Sequence, residues 1–345
     1  MMVDFIESQI FKFLDPSVAA TLRGVVLFGR NSASYKFALA KSVLGFAYQG
    51  TQAVAIDDLA GPFSQYICEH LKLEDRQATR DQSQFLNACR QFNNGSIAQS
   101  DLIATTIRLG FENVIDAFHV LGQGNIDNQF FLDERKTSKR ILLADNFLSF
   151  AQAGVSSYMQ EVEARWRLVE TAWGMNLAPC LIEFNDGNGD FEVVQKNERV
   201  AVTSARAALN GYQKGACFYC FRDISIAVND PDLADVDHVF PHVLQRHGIL
   251  EKLDGIWNLV LACKECNRGL SGKFANLPDL TYVDQLRKRN DFLVSSHHPL
   301  RETIIGQTGN SDVDRFDFLQ AVITAAREQY PGQFWKTHAV GVKPF

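Results

Sequence analysis

The chain is short of cysteine, methionine and net positive charge. It has seven cysteines and four methionines in 345 residues, and its 34 lysines and arginines are outnumbered by 40 aspartates and glutamates. So few cysteines in so long a chain do not form a disulfide framework. A net charge of −6 excludes the chain-wide basic surface of a general chromatin binder, so any contact with a polyanion must be local or assisted by a partner. No apolar run approaches the roughly twenty residues of a membrane span. The opening stretch, MMVDFIESQIFKFLD, lacks the basic start and apolar core of a secretory signal. Internal repeats and low-complexity segments are absent too. These absences lead to the expectation of a cytoplasmic protein with no membrane segment. The chain is 46% hydrophobic and 21% charged, which suits a globular protein, and its length allows two domains.

What the chain does have is a nested pair of motifs. Cys217 and Cys220 form one Cys-x-x-Cys, and Cys263 and Cys266 form a second. Each lets a tight turn present two sulfurs to one ion, so the two together predict a closed four-cysteine zinc site. Lys264 and Arg268 lie close by to offset the thiolate charge. The interval between the pairs is longer than in a compact zinc ribbon, so it carries an insertion. Cys68, Cys89 and Cys180 have no partner spacing and read as buried thiols.

The insertion contains Asp237-His238-Val239-Phe240-Pro241, then Asn258, and Asn267 follows the last cysteine directly. Ala234 to Val239 reads as a short strand, Trp257 to Ala262 as its partner. A helix made irregular by Gly269 and Gly272 follows toward Phe274. On an ideal strand Asp237 and His238 point to opposite faces. For both to serve one phosphate the strand must bend or end there, and Pro241 fits an end.

The stretch from Cys217 to Lys273 resembles an HNH endonuclease domain of the ββα-metal class. The residues that carry the likeness are the four cysteines, Asp237, His238, Pro241, Asn258 and Asn267. The resemblance implies that Asp237 and Asn267 bind a catalytic magnesium or manganese ion. It implies that His238 is the general base and that Asn258 holds the loop carrying it. The third motif letter is often histidine, and asparagine here gives a harder ligand that favours magnesium or manganese over zinc or nickel. An ordinary neutral histidine can accept a water proton at neutral pH. A single cation can neutralise the charge on a leaving 3′ oxygen.

Weaker signals surround this core. Arg268 and Lys273 are candidate phosphate contacts on DNA. The run Arg287, Lys288, Arg289 could extend a basic track, although such runs are usually solvated. His242 and His247 fit surface or packing roles, and His297-His298 reads as loop. Asp186, Asn188 and Asp190 mimic half a calcium loop, but Phe191 stands where that loop needs glycine and Asn197 where it needs glutamate. A hairpin between Leu181–Phe184 and Phe191–Val194 explains them better. Gly24 to Asn31, GVVLFGRN, echoes a phosphate loop without its lysine, and reads as an element entering the core.

Upstream the periodicity is helical. Ser34 to Phe46, Asp101 to Gly110 with an aspartate cap, Phe147 to Trp173 and Ser204 to Tyr212 all read as helices. Downstream, helices are expected near Val283 to Leu293 and Asp314 to Gln329. The expected fold is mainly α with a small α+β part. It comprises a helical regulatory or recognition domain over 1–200, a zinc-pinned nuclease domain over 201–295 and a helical extension over 296–345. The expected function is metal-dependent DNA hydrolysis in bacterial phage defence or restriction. A protein partner or self-association through the first half would supply selectivity. The rival readings are a mobile-element nuclease and a non-catalytic zinc-stabilised nucleic-acid-binding module.

Overall fold

The computed structural model describes residues 17–27, 33–78, 83–121, 124–174, 182–195, 198–246, 253–296, 298–329, 334–338 and 341. The opening stretch, the end of the phosphate-loop echo, Cys180, Asn197, His247 and His297 lie outside the described residues. Helix predominates over strand. The chain divides into two compact units, one over Pro16–Asn176 and one holding Leu177–Phe345. That division falls earlier than the expected boundary at 200. Among the described residues of 182–204, three paired strands lead into the first helix of the second unit.

The first unit contains helices α1 (Val18–Leu27), α2 (Tyr35–Tyr48), α3 (Ile56–Leu73), α4 (Gln84–Asn93), α5 (Gln99–Thr105), α6 (Val114–Ala117), α7 (Arg135–Ser138), α8 (Asp145–Gly154) and α9 (Ser156–Gly174). Strands β1 (Ala53–Ala55), β4 (Phe131–Glu134) and β5 (Arg140–Leu143) form an antiparallel sheet in the order β1-β5-β4, and β2 (Val120–Leu121) pairs with β3 (Gly124–Asn125). Gly24 to Leu27 end α1 in the core. Asp101 caps the start of α5 from within the helix, not from the N-cap position, which Ala98 occupies. It sits in the first turn and accepts the Ala98 N–H at 3.3 Å. The stretch from Phe147 to Trp173 breaks at Val155 into α8 and α9. Phe37, Phe63, Phe85, Phe118, Phe147 and Trp166 are buried in the core.

That core also encloses charge. His70 stacks on Trp166 with ring centroids 3.5 Å apart. Its Nδ1 lies 2.6 Å from Glu170 and its Nε2 3.2 Å from Glu163. Glu170 also accepts from Gln77 at 2.5 Å and from Arg167 at 2.9 Å, while Trp166 donates to Gln77 at 3.0 Å. Nearby, Arg23 donates twice to Glu161, at 2.6 and 2.7 Å. Paired and bonded in this way, buried charges become tolerable.

The second unit opens with the three-stranded sheet β6 (Glu183–Asn185), β7 (Asp190–Gln195) and β8 (Glu198–Ser204), followed by α10 (Ala205–Gln213). The β6–β7 turn is the expected hairpin, pairing Phe184 with Phe191 and placing Gly189 at φ +77°. Next come β9 (Asp235–His238), α11 (Val243–Arg246), a single 3₁₀ turn (Ile256–Asn258), β10 (Leu259–Ala262) and α12 (Lys264–Arg268). The last three helices are α13 (Leu280–Ser295), α14 (Arg301–Thr308) and α15 (Asp312–Gln329). β9 and β10 are antiparallel, with His238 opposite Leu259 and Asp235 opposite Ala262. A two-stranded ribbon is marginal alone. Here Gln213 reinforces it, accepting the Leu261 N–H at 2.7 Å and donating to the Leu261 carbonyl at 2.8 Å.

The His70 network makes the first unit pH-sensitive. Burial lowers the His70 pKa, but the hydrogen bonds to Glu163 and Glu170 raise it more, so the folded value lies above the ordinary 6.5. The stabilisation is therefore full below about pH 6.5 and is lost as pH rises through the higher folded value. Hydrogen exchange of α3 and α9, corrected for intrinsic rates, is expected to show less protection at pH 8.5 than at pH 6. His70→Gln is expected to remove that difference. An unchanged pH dependence in the variant would contradict this assignment.

Candidate metal and catalytic centre

The ligand atoms of Cys217, Cys220, Cys263 and Cys266 all lie within 4.8 Å of one another, and all four residues are buried. Local structure puts them there. The Phe221 N–H bonds to the Cys217 carbonyl at 3.0 Å, closing a turn with Phe221 in the left-handed region at φ 59°. Cys263 caps α12, its sulfur accepting the Cys266 N–H at 3.4 Å. Hydrogen bonding with Cys217 brings the Cys220 thiol down to about 7 and holds the Cys263 thiol well below its ordinary range. Bonding within the same group pushes Cys217 and Cys266 upward. Thiolate is the metal-binding form, and four sulfurs this close together can hold a metal such as zinc. Lys264 and Arg268 do not face the sulfurs, donating instead to the Pro231 carbonyl and to Asp235.

Asn258 is fully buried and makes three bonds: it donates to the Phe240 and Leu253 carbonyls at 3.0 and 2.9 Å and accepts the Phe240 N–H at 2.8 Å. It thereby ties both ends of the segment between β9 and the 3₁₀ turn. His238 ends β9. Its Nε2 lies 3.0 Å from Asp254 Oδ1, and His242 Nε2 lies 2.9 Å from the same oxygen. The hydrogen bond from His238, with His242 nearby, holds the Asp254 carboxyl down at about 2. His242 is thus part of this cluster, beyond the surface or packing role expected of it.

Side-chain alternation turns Asp235 and Asp237 to the other face of β9. Asp237 is buried, with Oδ2 accepting the Tyr219 hydroxyl at 2.5 Å and Oδ1 3.3 Å from Lys273 Nζ. Lys273, expected at the surface as a phosphate contact, is instead 0% exposed. Its ammonium also donates to the carbonyls of His238 and Phe274, at 2.9 and 3.3 Å. Burial in a carboxylate- and carbonyl-lined niche takes it away from solvent. The Asn267 amide donates to Asp235 at 3.1 Å, an aspartate outside the expected pair of Asp237 and Asn267. Arg268 is exposed and bonds Asp235 at 2.9 Å.

The run at 287–289 is not a cationic track. Arg287 and Lys288 pair with Asp284 and Asp291, and Arg289 is buried and donates to the Ile256 and Trp257 carbonyls. His298 is buried, and its Nδ1 accepts the Leu300 N–H at 3.2 Å, which organises the approach to α14. Four contributors were missed from sequence: Gln213, Tyr219, Asp235 and Asp254. Only Asp235 left a signal, its two-residue spacing from Asp237 on a strand. No helix among the described residues is long and apolar enough to cross a membrane. No known protein family, curated protein or solved structure matches the chain.

The two aspartates of β9 are expected to respond differently to truncation. Asp237→Ala leaves the Lys273 ammonium buried and unpaired, an expected loss of about 3–5 kcal/mol in denaturant unfolding. Asp235→Ala removes a more exposed partner and is expected to cost about 1 kcal/mol or less. Equal losses in the two variants would contradict the burial argument.

Proposed function

We propose that the chain is a zinc-stabilised, metal-dependent HNH-type nuclease that hydrolyses DNA phosphodiester bonds. The observation that carries this reading is His238 at the end of β9, bonded to the Asp254 carboxylate, within the four-cysteine unit that also holds Asp235 and Asn267. His238 takes a proton from water, the water oxygen forms the new bond to phosphorus, and the 3′ oxygen leaves with the electron pair of the broken bond. Asp254 holds the imidazole and favours the imidazolium that forms, as carboxylates do beside general-base histidines. Asn258 fixes the chain on both sides of that base.

Zinc fits the four sulfurs. For magnesium or manganese, Asp237 is a poor donor as arranged, because Tyr219 and Lys273 engage its two oxygens. Asp235 is engaged too, by the Asn267 amide and by two bonds from Arg268, but Arg268 is exposed and can swing away, which leaves Asp235 and the Asn267 amide oxygen as the donors a cation would recruit. That sparse set suits magnesium, which keeps several waters and needs only one or two carboxylates beside substrate phosphate. Once bound, such a cation supplies charge neutralisation at the phosphate. Arg268, exposed beside Asp235, is the nearest phosphate contact. The reading extends to phage defence or restriction, with Pro16–Asn176 as a recognition, partner-binding or self-association unit.

The test is cleavage of supercoiled plasmid by the purified full chain with magnesium or manganese. His238→Ala is expected to lower the rate at least about 100-fold with the thermal midpoint retained. Asp254→Asn is expected to lower kcat with little change in KM. Cleavage by His238→Ala at the parental rate would overturn the mechanism. Zinc-dependent DNA binding without cleavage would favour the non-catalytic module.

A further inference from the structure

Beside the cysteine cluster lies an open groove of about 720 Å³, lined by Cys220, Cys263 and Cys266 and by the loop that follows α12. Its rim is unusual for a protein surface. Leu270 is 104% exposed, Phe274 55% and Phe334 40%, and all three line the same groove. Exposed aromatics gathered in a concavity call for an occupant. Phe274 is also strained: its φ of 47° lies in the left-handed region, where a bulky side chain is an outlier. Two backbone bonds hold the loop there, Lys273 N–H to the Cys266 carbonyl at 2.7 Å and Phe274 N–H to the Asn267 carbonyl at 2.9 Å. Phe274 nevertheless keeps more than half of its surface exposed. Strain kept at an exposed side chain points to use of that side chain.

The chemistry of the lining narrows the occupant. Two cations, Arg222 and Lys336, line the groove together with the imidazole of His338, the carboxylate of Glu265 and three of the cluster's sulfurs, and Arg327 covers one face of the Phe334 ring, 5.1 Å from its centroid. Lys336 is largely exposed, with Asp279 3.6 Å away. Aromatic faces interleaved with cations are the elements of single-strand recognition, where bases stack on rings and phosphates meet the cations. A duplex keeps its bases stacked on one another and offers no free face to rings inside a concavity. A purely apolar peptide would leave the cations unused.

We infer that this groove binds unpaired nucleotides, with Phe274 and Phe334 as stacking faces and Arg222 and Lys336 as phosphate contacts. The inference rests on the nuclease reading and deepens it. The loop carrying Phe274 is bonded to Asn267, so the substrate form is DNA with an unpaired or displaced segment next to the cleavage site.

The test is fluorescence anisotropy of the full chain, with calcium replacing magnesium, against three probes: a single-stranded oligonucleotide, a blunt duplex of the same sequence, and that duplex with a three-nucleotide bulge. The double variant Phe274→Ala/Phe334→Ala is expected to weaken binding of the single strand and the bulged duplex at least about tenfold. Blunt-duplex affinity is expected to stay within about twofold. Phe274→Gly separates binding from folding, because glycine relieves the left-handed backbone. Its thermal midpoint is expected to hold or rise while single-strand affinity falls. Equal weakening on all probes, or no weakening on any, as a protein-binding groove would give, overturns the inference. So does a Phe274→Gly variant that loses stability and affinity together. Plasmid cleavage by the parent with unaltered affinities in the variants removes this inference alone. A parent that neither binds nor cleaves any nucleic acid removes the nuclease reading with it.

Discussion

Four sulfurs brought together from two distant turns are the constraint on which the second unit depends. Cys217 and Cys220 follow α10, and Cys263 and Cys266 open α12, so the cluster closes a loop of more than forty residues at its base. His238, Asp254 and Asp235 lie inside that loop, and Asn267, Arg268 and Lys273 follow it directly. The β9–β10 ribbon is too small to hold its own register in water. The cluster at one end, Gln213 along β10 and Asn258 at the other end fix it together. An ion held by the four sulfurs would close so long a loop and remove chain entropy that the ribbon's own contacts could not offset.

Within that frame, a strand's two-residue period sorts the charged groups. His238, on one face, meets Asp254 and His242. Asp235 and Asp237, on the other, meet Asn267 and Lys273 respectively. Depth then separates the two aspartates. Asp237 lies beneath the loop after α12, where Tyr219 and Lys273 engage it, and Asp235 stays nearer solvent beside Arg268. One buried ion pair thus anchors the loop that carries Phe274, and one more exposed carboxylate is held by Asn267 and Arg268.

The parts of this arrangement written in local pattern were legible in the sequence. Cysteine spacing marked the cluster, the short strand read at Ala234 to Val239 and the apolar run from Trp257 to Ala262 marked β9 and β10, and NDGNGD marked the β6–β7 turn. Helical periodicity located α2, α10, α13 and α15 to within a few residues. What depended on tertiary depth was not legible. Nothing in the sequence around Lys273 distinguishes a buried ammonium from a surface one. Asp254 is joined to His238 only through the loop path that Asn258 sets. The break at Val155 and the shift of Asp101 into the first turn of α5 reflect packing and capping choices that periodicity does not resolve. The placement of residues 182–204 with the second unit follows from hairpin pairing, a contact pattern that composition does not carry.

The most direct test of this account is metal analysis of the purified full chain combined with hydrogen exchange before and after chelation. The account predicts one zinc per chain. It also predicts that removing it abolishes protection in β9, β10 and α12 while α2, α3 and α9 keep theirs. A folded chain without bound metal, or β9–β10 protection that survives metal removal, would contradict it.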